Sequence, residues 1–184
     1  MAKPKNIRPT LLDYAILGLL QIESRSGYQI RKVFETTALG IYSSSPGTIY
    51  PALKRLESNA LVERKSEKIS TKGKFKITQH GVQILKEWLL EDIKRVDVER
   101  KREELFLRFA FMEDRLTRSQ KISFLKTFYQ QLKNYLDELK AFHKEESDRL
   151  PLHGRLSFEH GIASCEATLK WCRNTITLFQ THKP

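Results

Sequence analysis

The sequence has no long apolar segment and no pattern typical of a secreted protein. Its longest apolar run, Ala15–Leu20, is far shorter than the ~20 residues that a membrane-spanning helix needs. The basic N-terminus, residues 1–8, is not followed by a signal-peptide cleavage pattern. We therefore expect a protein of the cytoplasm that does not bind a membrane.

Cysteine is also scarce. Cys165 and Cys172 lie seven residues apart on a predicted helix, which separates them by about 10.5 Å along its axis. That distance is too long for a disulfide between them, and the spacing is not the Cys-x-x-Cys pattern of a metal site. The sequence predicts that both thiols pack in a core.

Motifs for catalysis and cofactors are missing. The chain has no glycine-rich phosphate loop, no nucleophile elbow and no His-Glu-x-x-His sequence. His153, Glu159 and His160 lie near a helix start, but solvated or packing histidines are the favoured interpretation. We expect no catalytic residue, no metal and no cofactor, and so no enzyme.

Acidic residues are outnumbered. The 184 residues include 33 Lys and Arg against 22 Asp and Glu, a net charge of +11. Residues 1–95 hold 17 Lys and Arg against 9 Asp and Glu, whereas residues 96–184 hold 16 against 13. A basic excess in the N-terminal half favours a polyanionic partner, and without an exposed amphipathic anchor nucleic acid is favoured over a membrane surface.

The segment after Ser45 is typical of a helix that enters a DNA groove. Ile49, Leu53, Leu56 and Ala60 recur at helical spacing and predict one apolar face. Ser45 and Pro46 suit an N-cap and the first helical position. Pro51 leaves two alternatives: a bent helix, or a helix that begins at Pro51.

The surrounding pattern predicts a winged helix-turn-helix. Two helices, Thr10–Ile22 and Tyr28–Ala38, precede the Ser45 segment, and the second should direct Tyr28 inward. Residues 62–78 alternate weakly around a turn at Ser70–Gly73 and predict a two-stranded hairpin, the wing. A helix beginning at Gly81 follows. Helices followed by a basic hairpin define this fold.

These residues resemble the PadR family of transcriptional regulators. The resemblance lies in four ordered motifs, Ala15–Leu20, Ser26–Ile30, Pro46–Glu57 and Lys74–Gly81. It implies a homodimer that binds a palindromic operator in double-stranded DNA, usually as a repressor. The family usually has glycine at Ala60, so we expect Asn59 to adopt the left-handed conformation instead. It usually has tyrosine at Phe75, so a hydroxyl is lost there.

Helical geometry and the resemblance together give a set of predicted DNA-binding residues. They are Tyr28, Ser45, Gly47, Thr48, Tyr50, Lys54, Arg55, Lys72 and Lys74. Several alternatives stay open. Tyr28 is as consistent with a core position, Tyr50 with packing between domains, and the wing lysines with solvated turn positions. Arg55 suits a base, a phosphate, or an ion pair with Glu57 or another acid.

The C-terminal half predicts long paired helices. A helix capped by Thr117 and reaching about Ser147, then one from about Arg155 to Thr181, have coiled-coil-like apolar seams and form an antiparallel pair. The family's long forms have a helical dimerisation domain of this kind. The predicted dimerisation residues are Phe158, Ile162, Leu169, Trp171, Ile176 and Phe179.

The predicted fold is thus mainly α, with a DNA-binding domain at residues 1–92 and an antiparallel helical dimerisation domain at residues 93–184. The aromatic residues Tyr42, Trp88, Phe106 and Phe109 suit either core packing or a pocket for a small aromatic effector, as in phenolic-acid-sensing relatives. Two alternatives to repression remain. One is a transcriptional activator of the same fold, and the other is a protein-interaction adaptor without specific DNA binding.

Overall fold

The structure, a computed structural model, describes residues 8–43, 45–67, 70–113 and 115–181, and at residues 66, 67 and 70–72 it describes the backbone alone. The described residues form two compact units, divided between Leu89 and Leu90. Within the described residues, the first unit contains four α-helices and a two-stranded sheet, and the second contains four α-helices. The mainly helical fold predicted from the sequence is confirmed.

Helix α1, Leu11–Ile22, is the central element of the first unit. Thr10 caps it: the Asp13 amide donates to Thr10 Oγ1 (3.3 Å), and the Thr10 amide donates to Asp13 Oδ2 (2.8 Å). This reciprocal pair is a capping box, which fixes the start of the helix. The helix is buried from residue 13 to residue 20, as its nearly continuous apolar sequence predicts.

Helix α2, Gly27–Thr36, starts in the same way. Ser26 and Gln29 form its capping box, and Ile30 and Phe34 are fully buried. The helix ends before the predicted Ala38, where a short 3-10 turn, Ala38–Ile41, begins. The expectation that Tyr28 points inward is wrong, because its side chain is 55% exposed.

Helix α3, Pro46–Ser58, begins at Ser45 as its N-cap and continues through Pro51. The alternative start at Pro51 is therefore wrong. Ile49, Leu53 and Leu56 are buried, so the predicted apolar face is confirmed at these three positions. Ala60 is exposed because it lies beyond the end of the helix.

The left-handed residue after α3 is Ala60, whereas the sequence predicts Asn59. Ala60 has φ 54°, whereas Asn59 has φ −91°. The Leu61 amide donates to the Leu56 carbonyl (2.9 Å) and the Ala60 amide to the Glu57 carbonyl (3.0 Å), which is the Schellman pattern. The Thr78 hydroxyl also donates to the Ala60 carbonyl (2.7 Å). These bonds place the left-handed turn at Ala60.

The predicted wing is present, but the expected turn at Ser70–Gly73 is wrong, because these residues belong to its second strand. Strands β1, Val62–Glu67, and β2, Ser70–Ile77, pair antiparallel with Val62 opposite Ile77 and Arg64 opposite Phe75. A third segment, absent from the sequence prediction, joins them: Arg25 and Phe75 exchange both backbone hydrogen bonds, at 3.1 and 2.8 Å. The hairpin is therefore anchored to the connection between α1 and α2. Helix α4, Gln79–Leu89, follows.

The second unit starts with two short helices, α5 (Arg95–Arg100) and α6 (Arg102–Ala110). The many charged residues between positions 95 and 102 predict a connector, but the structure has helix α5 there. This helix has a side chain to bury, Val98, and a hydrogen-bond acceptor at its start. The Lys94 amide donates to Asp97 Oδ2 (2.9 Å). The Arg95 guanidinium binds both carboxylate oxygens of Glu138, at 2.8 and 2.5 Å.

Two long helices complete the second unit. They are α7, Arg118–Glu146, with Thr117 and Gln120 forming its capping box, and α8, Leu152–Thr181. Lys140 pairs with Glu166 (2.5 Å), and the Arg173 guanidinium lies 6.0 Å from the Tyr129 ring centroid. Residues early in α7 thus meet residues late in α8, so the predicted antiparallel arrangement is confirmed. Among the described residues, no helix is long and apolar enough to cross a membrane.

Candidate DNA-binding surface

The N-terminus of α3 carries hydroxyl groups that form hydrogen bonds with one another and with the local backbone. Ser45 Oγ accepts from the Gly47 amide (3.2 Å), and the Thr48 hydroxyl donates to the Ser45 carbonyl (2.9 Å). The Ser43 and Thr48 hydroxyls also form a hydrogen bond. Ser45, Gly47 and Thr48 are all exposed. The positive end of the helix dipole and these small residues together suit a phosphate oxygen.

Tyr50 and Lys54 continue the exposed face of α3 along the next turn. Tyr50 is 46% exposed, and one edge of its ring lies against Gly27 at the start of α2. Lys54 is exposed on the same helix. The face opposite Ile49, Leu53 and Leu56 therefore presents an aromatic hydroxyl and a cation to a partner outside the unit.

Tyr28 adds a second aromatic residue from α2. The Arg31 guanidinium lies 5.4 Å from its ring centroid and is paired with Glu35 at 2.8 Å. The alternative that Tyr28 belongs to the core is wrong, because about half of the side chain is exposed. Its assignment to DNA stays a prediction.

Arg55 is engaged inside the protein. Its Nε donates to Asp13 Oδ2 (3.1 Å), and one terminal nitrogen donates to Asp13 Oδ1 (2.6 Å). The Asp13 side chain is 2% exposed, whereas that of Arg55 is 36% exposed. Of the alternatives considered for Arg55, an ion pair with an acid is the arrangement found, and the acid is Asp13 instead of Glu57.

The outer face of the wing carries more lysines than the sequence reasoning identified. Lys65 stands directly opposite Lys74, and Glu63 stands opposite Lys76. These side chains alternate with the buried Val62, Phe75 and Ile77, so they project from the other face of the sheet. Period-two alternation in residues 62–65 would have been sufficient to find Lys65. The predicted Lys72 has its side chain outside the described residues.

Arg64, also missed, connects the wing to the end of α3. Its guanidinium lies 4.8 Å from the Phe75 ring centroid, and its Nε is 3.8 Å from Glu57 Oε1. Gly73 leaves room for the stem of this side chain, because a Cβ there would stand 2.9 Å from Arg64 Cγ. Arg64 is exposed and adds a cation near the end of α3.

The four residues predicted to line an effector pocket are divided between the units. In the first unit, Trp88 is buried and stacked on Tyr14, with ring centroids 4.3 Å apart, and Tyr42 is half-buried after the 3-10 turn. In the second unit, Phe106 and Phe109 both contact the Trp171 ring, at centroid distances of 5.2 and 5.1 Å. Trp88, Phe106 and Phe109 thus each pack against another ring of their own unit.

The predicted dimerisation residues have mixed environments within one chain. Leu169 is buried, Trp171 contacts the two phenylalanines of α6, and Phe158 lies 5.5 Å from Phe142 between ring centroids. Ile162 and Ile176 are half-buried, as is Phe179. Exposed apolar side chains that the prediction omitted lie on the same helix: Leu152, Leu156 and Leu178.

The cysteines occupy the core of the second unit as free thiols. Burial raises the pKa of Cys172 to about 12, and burial also raises the pKa of Cys165, despite an Arg102 nitrogen 3.4 Å from its sulfur. The packing role predicted for both is confirmed. In the described part of the chain, no group of three or more His, Cys, Asp or Glu side chains is arranged to hold a metal ion.

Comparison with known proteins finds a family model that matches most of the first unit. Residues 16–87 match the model of the transcriptional regulator PadR-like family. The chain is 32% identical over 87 residues to the transcriptional regulator YqjI of Escherichia coli (strain K12), covering 47% of this chain and 40% of that protein. It is 35% identical over 83 residues to the negative transcriptional regulator PadR of Bacillus subtilis (strain 168), covering 44% and 46%.

The chain thus spans less than half the length of the curated relatives that it matches. Among solved structures, it is similar to the PadR-like transcriptional regulator BC1756 from Bacillus cereus, with 22% identity, a TM-score of 0.42, and 94% of this chain and 99% of that chain covered. The N-terminal winged helix-turn-helix domain is therefore similar to the transcriptional regulator PadR-like family over residues 16–87.

Proposed function

We propose that the protein is a sequence-specific DNA-binding regulator that acts as a homodimeric repressor on a palindromic operator. The observation that supports this most strongly is the exposed face of α3, which carries Ser45, Thr48, Tyr50 and Lys54 in a PadR-like domain. All four residues are exposed. In an operator complex, α3 is the helix that enters the major groove.

Each part of the surface has a distinct chemical task in this proposal. The hydroxyls and amides at the start of α3 bind a backbone phosphate. Lys54 and Tyr50 lie further along α3, where side chains reach base edges or the adjacent backbone. Lys72 and Lys74, with the added Lys65, bring the wing to the phosphates by charge, without reading sequence.

The dimer and the direction of regulation are separate parts of the proposal. The second unit supports a partner helix, since Leu152, Leu156 and Leu178 expose apolar surface along α8 beside the predicted dimerisation residues. A second copy of the chain is the simplest partner for such a surface. Repression is supported by the Bacillus subtilis relative, which is a negative transcriptional regulator. Its mechanism would be occlusion of a promoter.

Release of the operator by a small aromatic effector is a further part of the proposal. The aromatic residues Phe106, Phe109 and Trp171 supply ring surfaces in the second unit that a planar ligand would contact. Isothermal titration calorimetry of the protein with a panel of phenolic acids tests this part directly. Saturable binding that releases bound operator would support it, and the absence of binding would remove the effector from the proposal.

The deciding experiment is DNA binding by the full chain. A duplex selected by the protein from a random-sequence library is compared with a scrambled duplex at about 150 mM salt, where non-specific binding is weak, with Kd about 10⁻⁴–10⁻⁶ M. We expect nanomolar binding to the selected duplex by two chains per site. Lys54→Ala should reduce it, whereas Lys133→Ala on α7 should not. Equal weak binding to both duplexes would contradict the proposal and favour the adaptor.

A further inference from the structure

The carboxylate of Asp13 connects two helices through four hydrogen bonds. Oδ2 accepts from the Thr10 amide (2.8 Å), the Thr10 hydroxyl (2.9 Å) and Arg55 Nε (3.1 Å), while Oδ1 accepts from a terminal nitrogen of Arg55 (2.6 Å). Both oxygens are therefore used. Asp13 thus completes the capping box of α1 and, at the same time, holds the Arg55 side chain of α3.

This contact constrains α3 in a way that its apolar face does not. Ile49, Leu53 and Leu56 pack against the core, and apolar packing has no preferred direction that would resist a small rotation of the helix. A planar guanidinium bonded to both oxygens of one carboxylate has a defined distance and angle. The pair therefore fixes the rotation of α3, and with it the direction of Tyr50 and Lys54.

Burial makes the pair difficult to open. Asp13 is 1% exposed, so departure of Arg55 toward a DNA phosphate would leave a buried carboxylate without a cation. A buried charge left without its partner is strongly destabilising. A single phosphate contact at a wet interface does not compensate for that loss, because its net contribution is modest. Arg55 is thus retained by Asp13 when DNA is present.

We propose that Asp13 and Arg55 are positioning residues that orient the recognition helix, and that Arg55 does not itself contact the operator. This inference rests on the proposed function, since it concerns how the same surface discriminates between sequences. It assigns a role in recognition to Asp13, a buried residue of α1 that no groove of DNA can reach.

The test measures the specificity ratio, which is the affinity for the selected duplex divided by that for its scrambled version. The variants are Asp13→Asn, Arg55→Gln and the double variant, with Arg55→Lys as a charge-preserving change. The controls make the same changes in exposed ion pairs of the second unit: Asp137→Asn, whose partner is Lys133, and Arg149→Gln, whose partner is Glu146. Because the same folded molecules bind both duplexes, any unfolded fraction cancels in the ratio.

We expect each single variant to lower the ratio about tenfold, and the double variant to lower it no further, as for two residues that act through one contact. The salt slope of binding should stay unchanged in Arg55→Gln, because no phosphate contact is lost. Arg55→Lys should not restore the ratio, since an ammonium lacks the planar pair of donors. The two controls should bind as the wild-type protein does.

A different pattern would overturn the inference. If Arg55 contacted a phosphate, Arg55→Gln would lower the salt slope by about one, Arg55→Lys would restore binding, and Asp13→Asn would leave the ratio unchanged. If the pair only stabilised the fold, the melting temperature would fall while the ratio stayed at its wild-type value. A wild-type protein without discrimination would instead overturn the proposed function, and with it any role of the pair in recognition.

Discussion

The ring of Tyr50 lies in the space that a side chain on Gly27 would fill. A Cβ added to Gly27 would stand 2.7 Å from Tyr50 Cε1 and 3.5 Å from Leu53 Cδ1. The first distance is shorter than atoms tolerate, so the ring and a side chain at position 27 exclude each other. The missing side chain at the start of α2 therefore sets where Tyr50, an aromatic residue of α3, lies.

Replacement of Gly27 by alanine should displace Tyr50 without unfolding the domain. Alanine favours a helix more than glycine does, so the helix itself gains stability while the ring must move. We expect binding to the selected duplex to weaken about tenfold, the size of the loss of one well-placed contact. Fluorescence anisotropy gives the affinity. Gly161→Ala on α8, where a Cβ meets no atom within 4 Å, is the control. Wild-type affinity in Gly27→Ala would remove Tyr50 from the DNA contacts.

Replacement of Ala60 by glycine should stabilise the protein. Ala60 has φ 54°, a conformation that costs a residue with a Cβ about 1–2 kcal/mol, and glycine removes this strain but adds freedom to the unfolded chain. We expect a net gain of about 0.5–1 kcal/mol, visible as a higher urea midpoint with an unchanged slope.

The same substitution within a regular helix is the control for that prediction. Ala141 is exposed in α7, and Ala141→Gly should destabilise by about 1 kcal/mol. Opposite signs at the two positions would establish that backbone conformation determines the effect. A loss of stability at both would contradict the left-handed assignment of Ala60.

Removal of Lys65 should alter DNA binding and stability in opposite directions. Lys65 stands directly opposite Lys74, and like charges directly opposite each other destabilise a sheet. Lys65→Ala should therefore raise stability slightly, while the slope of log affinity against log salt falls by about 0.9 for one lost phosphate contact. The selected and scrambled duplexes should be affected equally.

Glu63→Ala on the same face provides the comparison. Glu63 lies opposite Lys76, so its loss removes an attractive cross-strand pair and should lower stability, with no decrease in the salt slope. An unchanged slope in Lys65→Ala would place the outer face of the wing away from DNA.

Cys172 should make the stability of the second unit depend on pH in the alkaline range. Burial raises its pKa from 9.0 to about 12 in the folded state, so above pH 9 the unfolded chain loses this proton and the folded chain keeps it. The contribution of this thiol to the free energy of unfolding is complete below pH 9. It is lost as the pH rises toward 12, by up to about 1.4 kcal/mol per pH unit.

Urea midpoints at about pH 8 and about pH 10.5 measure this effect, because they bracket the ordinary thiol pKa. Cys172→Ala should show a smaller decrease between the two conditions, since its other titrating groups are those of the wild-type protein. Equal decreases would contradict the burial of this thiol. In the native wild-type protein, a thiol reagent should react with neither cysteine until a denaturant is added.

Local signals predicted the helix starts well. Ser45 and Thr117 were identified as caps, and the first predicted helix began at Thr10, one residue before α1. Each of these three residues satisfies an amide within the first turn of its helix. Such signals depend on residues two or three positions apart, so the sequence contains all the information that they need. The apolar spacing of α3 was equally local.

What the sequence did not reveal depends on contacts between distant residues. Asp13 was assigned no role, because its partner Arg55 is on another helix. The left-handed residue was expected at Asn59 by propensity, but bonds from Thr78 and to Leu56 place it at Ala60. Helix α5 was missed because its charges obscured the single buried residue, Val98, and because Glu138 is remote in sequence. In each case tertiary contacts overrode the local pattern.

The pairing of Arg25 with Phe75 determines which part of this domain can be exchanged as a module. The hairpin forms backbone hydrogen bonds with Arg25, a residue between the first two helices. A wing grafted from a relative would therefore pair with a segment of different sequence unless residue 25 and its neighbours were transferred with it. Amide hydrogen exchange at these two residues should be as slow as in the core of α1. Chimeras with altered operator preference should therefore be joined before Arg25, not at the turn before Val62.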